Sequence, residues 1–91
     1  MLEENNYGKP ISEKLSAIIR RNSTKDDLAN VASITGISFS TIRDVVYRTN
    51  SLTKTNSKAI RSLLNIAFEN SLARQLQAEG DKIFLNRILR D

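Results

Sequence analysis

The stretch VASITGISFSTIRDVVYR, residues 31–48, places Gly36 between two short segments whose apolar residues recur at helical spacing. Glycine readily adopts the left-handed backbone conformation that ends many α-helices. Ser38 follows two residues later, and serine is a favourable N-cap residue. The stretch therefore predicts a helix that ends at Gly36, a short turn, and a further helix over about residues 39–48.

Two helices are predicted before this turn. Ser12 is placed to cap a first helix that runs to about Asn22. Thr24 is placed to cap a second helix, which we expect to bury Ile34 along one apolar stripe. Residues 1–10 show no periodicity and read as a flexible arm.

Two more helices are predicted after the third. A fourth begins near Asn56, after a polar connection, and ends where Gly80 interrupts it. Asp81 then caps a fifth helix that reaches about Arg90. Since strand-like alternation is not evident, the predicted fold class is all-α, a five-helix single domain.

Length and composition indicate a small binding protein. The 91 residues, 40% of them hydrophobic, suffice for one modest core. The sequence lacks Cys, which supplies thiol nucleophiles, and His, which is the commonest general base. These two residues are also the commonest zinc ligands. We therefore expect no enzymatic activity, no metal and no cofactor. Neither a signal peptide nor a run of roughly 20 apolar residues is present, so we expect a cytoplasmic protein without membrane contact.

The charge is unevenly distributed along the chain. Residues 14–68 hold nine basic and three acidic side chains, a net charge of +6. Residues 1–13 carry a net charge of −2, and residues 69–91 hold four basic and four acidic side chains. A polyanionic partner is therefore expected to bind the middle of the chain.

At about 100° per residue, the predicted third helix has two distinct faces. One face carries the aliphatic residues Ile42, Val45 and Val46. The opposite face carries Ser40, Arg43, Asp44 and Tyr47. These side chains supply groups that contact base edges, and a guanidinium suits guanine O6 and N7. An ordinary amphipathic surface helix has the same pattern, so periodicity alone leaves both interpretations open.

The central stretch resembles the helix-turn-helix of the phage-repressor/Cro group and of the lactose-repressor headpiece group. In that motif a glycine makes the turn, a small residue packs between the helices, and aliphatic residues fix their crossing. The matching residues here are Val31, Ala32, Gly36, Ile37, Ile42 and Val45. The resemblance implies sequence-specific binding to double-stranded DNA, as a repressor-like transcriptional regulator of bacterial, plasmid or phage origin.

The resemblance covers about residues 12–68, which include the helix-turn-helix core that we assign to residues 11–68. It implies base contacts from Ser38, Phe39, Ser40, Arg43, Asp44 and Tyr47. Phosphate contacts are expected from Thr41, Arg48, Lys54, Thr55 and Lys58. Weaker phosphate candidates are Arg20, Arg21 and Lys25. The second helix departs from the family pattern. It begins about one turn too far from Gly36, and its first turn is acidic.

The C-terminal extension, residues 69–91, together with the residue before it, carries apolar side chains that the core does not need. They include Phe68, Leu72, Leu76, Phe84, Ile88 and Leu89. The extension either folds back as a hairpin or pairs with a second subunit, and we expect pairing in a homodimer. Such a dimer presents two recognition helices about 34 Å apart, or a multiple of that distance, and is expected to bind a near-palindromic site. The alternative function is a protein-interaction module, such as an antitoxin, an adaptor or a virion component, that binds a protein partner through residues 68–91.

Overall fold

The computed structural model describes residues 2–90, and the predicted all-α class is confirmed across them, since they contain no strand. Met1 and Asp91, the ends of the predicted arm and extension, lie outside the described residues. A single 3₁₀ turn spans Glu4–Asn6. The α-helices are α1 (Glu13–Asn22), α2 (Lys25–Thr35), α3 (Phe39–Val46) and α4 (Lys54–Arg90).

One hydrophobic core joins the first three helices to the N-terminal half of α4, which contacts all three. Apolar residues three and four positions apart give each helix one buried stripe. The largest fully buried side chains are Ile19, Val31, Ile42, Val45, Val46, Leu52, Ile60 and Leu63. Ile34, expected on the buried stripe of α2, is instead 82% exposed, because it lies on the side of α2 that faces solvent.

The fourth helix begins two residues earlier than predicted. The Thr53 hydroxyl accepts a hydrogen bond from the Asn56 N–H (3.1 Å), and the Asn56 side-chain oxygen accepts one from the Thr53 N–H (2.8 Å). This reciprocal pair satisfies backbone donors at the helix start. Lys54 and Thr55, predicted in a loop, therefore lie in the first turn of α4.

The prediction that Gly80 separates two helices is wrong. α4 continues through Gly80 as one helix, and Asp81 lies inside it instead of capping a fifth helix. A glycine within a helix costs only about 1 kcal/mol relative to alanine. The flanking residues on both sides favour the helix strongly enough to outweigh that cost, so the count is four α-helices instead of five.

The fold-back hairpin considered for the C-terminal extension is also wrong. Residues 71–90 are all exposed, and the 58 Å longest dimension of the molecule follows from this projecting helix. Two side chains anchor α4 to the α1–α2 turn just before it leaves the domain. The Asn70 amide donates to the Asn22 carbonyl (2.9 Å), and the Arg74 guanidinium donates to the buried Asn22 side-chain oxygen.

The N-terminal segment, predicted to be a flexible arm, is packed on the domain. Leu2 is buried in the core cluster. The Gly8 N–H donates to the Leu52 carbonyl (2.8 Å), and the Leu52 N–H donates to the Lys9 carbonyl (2.9 Å). These bonds pair the segment with the connection between α3 and α4. Sequence periodicity does not reveal such pairing, because it joins residues more than forty positions apart.

Candidate nucleic-acid interface

α3 is held on the core by one face and exposes the other. Ile42, Val45 and Val46 are all buried, and they fix the rotation of the helix about its own axis. Tyr47, on the opposite side, is 56% exposed. α3 is therefore a short helix with a rigidly oriented outer face.

The turn before α3 depends on Gly36. Its φ of 74° lies in the left-handed region, and its N–H donates to the Ala32 carbonyl (3.0 Å). The Thr35 hydroxyl donates to the Val31 carbonyl (2.7 Å) and accepts from the Ile37 N–H (3.3 Å). Together these bonds close the end of α2 and lead the chain into α3 within three residues. Val31 is buried, and Ala32 and Ile37 are half-buried against the core.

The N-terminus of α3 is capped by Ser38. Its hydroxyl oxygen accepts from the Thr41 N–H (3.2 Å), and the hydroxyl donates to the Thr41 Oγ1 (2.8 Å). Ser40 Oγ lies 3.3 Å from Ser38 Oγ. Phe39 is half-buried against the core. Ser40 is exposed and is the hydroxyl in this turn best placed for a ligand.

Arg43 and Asp44 form an ion pair on the outer face. Nε and Nη2 of Arg43 both donate to the Asp44 Oδ1 at 3.2 Å. The pair is well exposed, so it contributes little to stability. Its effect is geometric, because the carboxylate restricts the directions in which the guanidinium points. Asp44, predicted to contact bases, is thus paired with Arg43 in the free protein.

A cleft beside α3 collects cations from three helices. The Arg20 guanidinium of α1 lies over the Tyr47 ring, 5.5 Å from its centroid, a cation–π contact. Lys25 of α2 and Arg43 of α3 line the same cleft. Apolar side chains, including the largely buried Leu28, also line it. The carboxylate that pairs with Arg43 lines it as well, so the cleft combines an apolar lining with three cations and one acid.

Ser16 is the residue that positions Arg20, and sequence reasoning did not single it out. Its hydroxyl donates to the Val46 carbonyl (2.6 Å) and accepts from Arg20 Nε (3.3 Å). The side chain is 2% exposed, and its bond to Val46 is buried, whereas its bond to Arg20 is partly buried. The signal in the sequence is a small polar residue on the apolar stripe of α1, where an aliphatic residue is otherwise expected.

The structure gives Arg48 a role within the fold. α3 ends at Val46, two residues earlier than predicted, because Arg48 adopts a left-handed φ of 65° and reverses the chain. Its Nε donates to the Ile11 carbonyl (2.7 Å), and its Nη1 pairs with Glu13 (3.3 Å). These contacts tie the end of α3 to the start of α1.

The other predicted phosphate contacts are separate from the cleft. Lys54, Thr55 and Lys58 are exposed on the first two turns of α4 and do not line it. Thr41 is half-buried, and its hydroxyl accepts from Ser38. Arg21 lines a different groove, beside Asn22 and Arg74. The phosphate candidates that line the cleft beside α3 are therefore Arg20 and Lys25, which the sequence ranks below the others.

The predicted pairing residues lie on the projecting part of α4 or directly before it. The exposed fractions of Phe68, Leu72, Leu76, Phe84, Ile88 and Leu89 range from 43% to 84%. The described chain holds no helix that is apolar enough over a sufficient length to cross a membrane. Within residues 2–90, no three Asp or Glu side chains cluster closely enough to hold a metal ion.

Comparisons with protein-family models, with curated proteins and with solved structures give no match to this chain.

Proposed function

We propose that the protein binds double-stranded DNA sequence-specifically in the cytoplasm, as a transcriptional regulator, with the outer face of α3 in the major groove. The observation that carries the proposal is the packing of α3. Three aliphatic side chains fix its rotation, and Gly36 sets its direction relative to α2. A helix held in this way presents its outer side chains in one orientation, which base recognition requires.

The chemistry of that outer face supports base contacts. Arg43 has five N–H donors, and Asp44 restricts where they point. Ser40 supplies an exposed hydroxyl, and Tyr47 supplies a phenol whose ring is covered on one side by Arg20. We assign base contacts to Ser40, Arg43 and Tyr47, and a positioning role to Asp44.

Cations around α3 support the phosphate contacts. Arg20 and Lys25 lie on one side of the helix, and Lys54 and Lys58 belong to the following element. Positive charge beside a helix that enters the major groove is positioned to neutralise the phosphates that border it. The acidic first turn of α2 opposes such a contact, and Lys25 offsets part of that negative charge.

The deciding experiment is selection from a random duplex-DNA library by the purified protein at near-physiological salt, followed by sequencing of the retained DNA. An enriched motif is expected. Arg43→Gln should lose the motif, whereas Arg61→Gln, which makes the same change in charge outside the cleft, should retain it. A wild-type protein that retains no DNA, or retains it without enrichment, would contradict the proposal.

Lys54→Gln and Lys58→Gln are expected to weaken binding to specific and random duplexes alike. Each lysine that contacts a phosphate releases counterions, so its loss lowers the slope of log affinity against log salt by about 0.9. The measurement is a fluorescence-anisotropy titration over a range of salt concentrations. Lys82→Gln on the projecting helix is the control and should leave the slope unchanged.

Arg20→Gln is expected to lower the salt slope by about the same amount, while Arg21→Gln leaves it nearly unchanged. The two arginines are adjacent in sequence, but only Arg20 lines the cleft beside α3. The same titration compares them at equal net charge. Equal losses for the two variants would show that general surface charge, and not the cleft, attracts the DNA.

The alternative is a protein-interaction module, and the exposed apolar side chains of residues 68–90 favour it. Asp44 on the outer face of α3 also favours it, since a carboxylate repels phosphates. Such a module predicts no retention of duplex DNA at any salt concentration. The library selection therefore separates the two functions.

A further inference from the structure

Exposed residues spaced four positions apart form a ridge along α4. The row is Phe68, Leu72, Leu76, Gly80, Phe84 and Ile88, which we call the α4 ridge. Its five side chains are all large and apolar, and each is at least 43% exposed. Residues spaced by four positions form one of the two kinds of surface ridge by which helices pack. The α4 ridge therefore has the form of a helix-packing surface that has no partner within the described chain.

Gly80 has no explanation within its own chain. It lies inside a helix, where glycine costs about 1 kcal/mol relative to alanine. A Cβ atom added there would meet nothing within 4 Å, and its φ is not in the left-handed region. A glycine in the middle of an apolar ridge does allow the backbone of another helix to approach closely. The missing side chain therefore marks the point at which a partner helix is expected to cross.

We infer that the α4 ridge pairs with the same ridge of a second copy of this chain, antiparallel, with the two helices crossing at Gly80. Two ridges of this kind interdigitate at an angle of about 50°, the commonest class of helix packing. A two-fold axis through Gly80 makes the contact self-complementary. Leu76 then lies opposite Phe84 of the partner subunit, and Leu72 lies opposite Ile88 of the partner subunit.

Charges at the two ends of the ridge favour one direction, whereas Glu79 and Asp81 beside the crossing meet the same acids of the second copy in either direction. Glu69 flanks its N-terminal end, and Arg87 and Arg90 lie on the same side of α4 at its C-terminal end, as the rotation of about 100° per residue requires. An antiparallel arrangement brings Glu69 towards these arginines in the second copy. A parallel arrangement brings the arginines of the two copies together, which is unfavourable.

The globular domain leaves this contact free. α4 packs on the other helices through Ile60, Leu63 and Ala67, which are buried. Phe68 and Leu72 lie on the other side of α4 and are exposed. A second helix thus approaches from the side opposite the domain. The paired helices carry one α3 at each end, and this geometry does not depend on whether α3 binds DNA.

Disulfide cross-linking tests the direction, because the chain contains no cysteine. A mixture of Leu76→Cys and Phe84→Cys should form a mixed disulfide, identified by intact mass, while each variant alone links poorly. Ala78→Cys, on the far side of α4, is the control and should not link. Efficient linking of Leu76→Cys to itself would overturn the antiparallel arrangement.

Gly80→Ala is expected to have opposite effects on the helix and on the dimer. The added methyl favours helix in a monomer, but it occupies the crossing point and weakens association about tenfold or more. Sedimentation equilibrium at micromolar concentration, without DNA, measures the association, and circular dichroism measures the helix content. Unchanged or tighter association of Gly80→Ala would overturn the crossing at Gly80.

Two neighbouring substitutions test the ridge itself. Phe84→Ser should dissociate the dimer, and Leu85→Ser, which removes a side chain of similar exposure from the other side of α4, should leave it intact. Equal loss of association in the two variants would contradict the ridge as the contact surface. A monomer mass for the wild-type chain in sedimentation would contradict the pairing. The cross-linking and sedimentation experiments omit DNA. A negative result for the dimer is therefore distinct from a negative result for the proposed DNA binding.

Discussion

Ile42→Ala is expected to lower the free energy of unfolding by about 2 to 5 kcal/mol. Ile42 is fully buried on the inner face of α3, and its loss leaves a cavity between that helix and the rest of the core. A domain of this size has a total stability of roughly 5 to 13 kcal/mol. The substitution therefore removes a large part of it and loosens the orientation of α3.

Urea unfolding followed by circular dichroism measures this effect. Ser40→Ala is the control, because it truncates an exposed side chain on the same helix and should change the stability by less than about 0.5 kcal/mol. A loss below about 1 kcal/mol for Ile42→Ala would mean that α3 is not packed on the core as described.

Arg43→Ala is expected to weaken binding to the selected DNA site by about 1 to 3 kcal/mol, and binding to random duplex much less. The guanidinium is exposed and oriented by Asp44, so its removal costs contacts to a base without disturbing the core. Because a bidentate contact to guanine discriminates between bases, specificity at one position of the site should relax.

Competition binding with the selected site and a scrambled duplex measures the difference. Asp44→Asn is the informative companion, since it keeps the shape of the side chain and removes the charge that orients Arg43. We expect it to reduce specificity and to raise the affinity for random DNA, because a repulsive charge is lost. Equal losses on both duplexes for Arg43→Ala would contradict base reading.

Many local features of the fold could be predicted from single residues. Ser12, Thr24 and Ser38 each accept a hydrogen bond from a backbone N–H three residues later. These caps involve only neighbours in sequence, so the residue type is enough to predict them. The left-handed turn at Gly36 is similar, because few other residues adopt that conformation at low cost.

The candidate interface was predictable only in part. Periodicity predicts which side chains lie on the outer face of α3, because one face must hold the aliphatic residues. It does not predict the Arg20–Tyr47 contact, which joins α1 to α3 and depends on the bonds that Ser16 makes. Nor does it predict the partners of Arg48, which lie in α1 and just before it.

The sequence by itself determined the helical class, the helix caps, the turn at Gly36 and the two faces of α3, because each depends on interactions within about one helical turn. Only the tertiary structure decided that the N-terminal segment is packed and that cations from three helices line one cleft. The continuity of α4 is a local balance, which the prediction of a helix end at Gly80 misjudged. At Gly80 the local preference amounts to about 1 kcal/mol, which the neighbouring residues outweigh. The packed segment and the cleft arise where residues distant in sequence meet, and local patterns do not encode those distances.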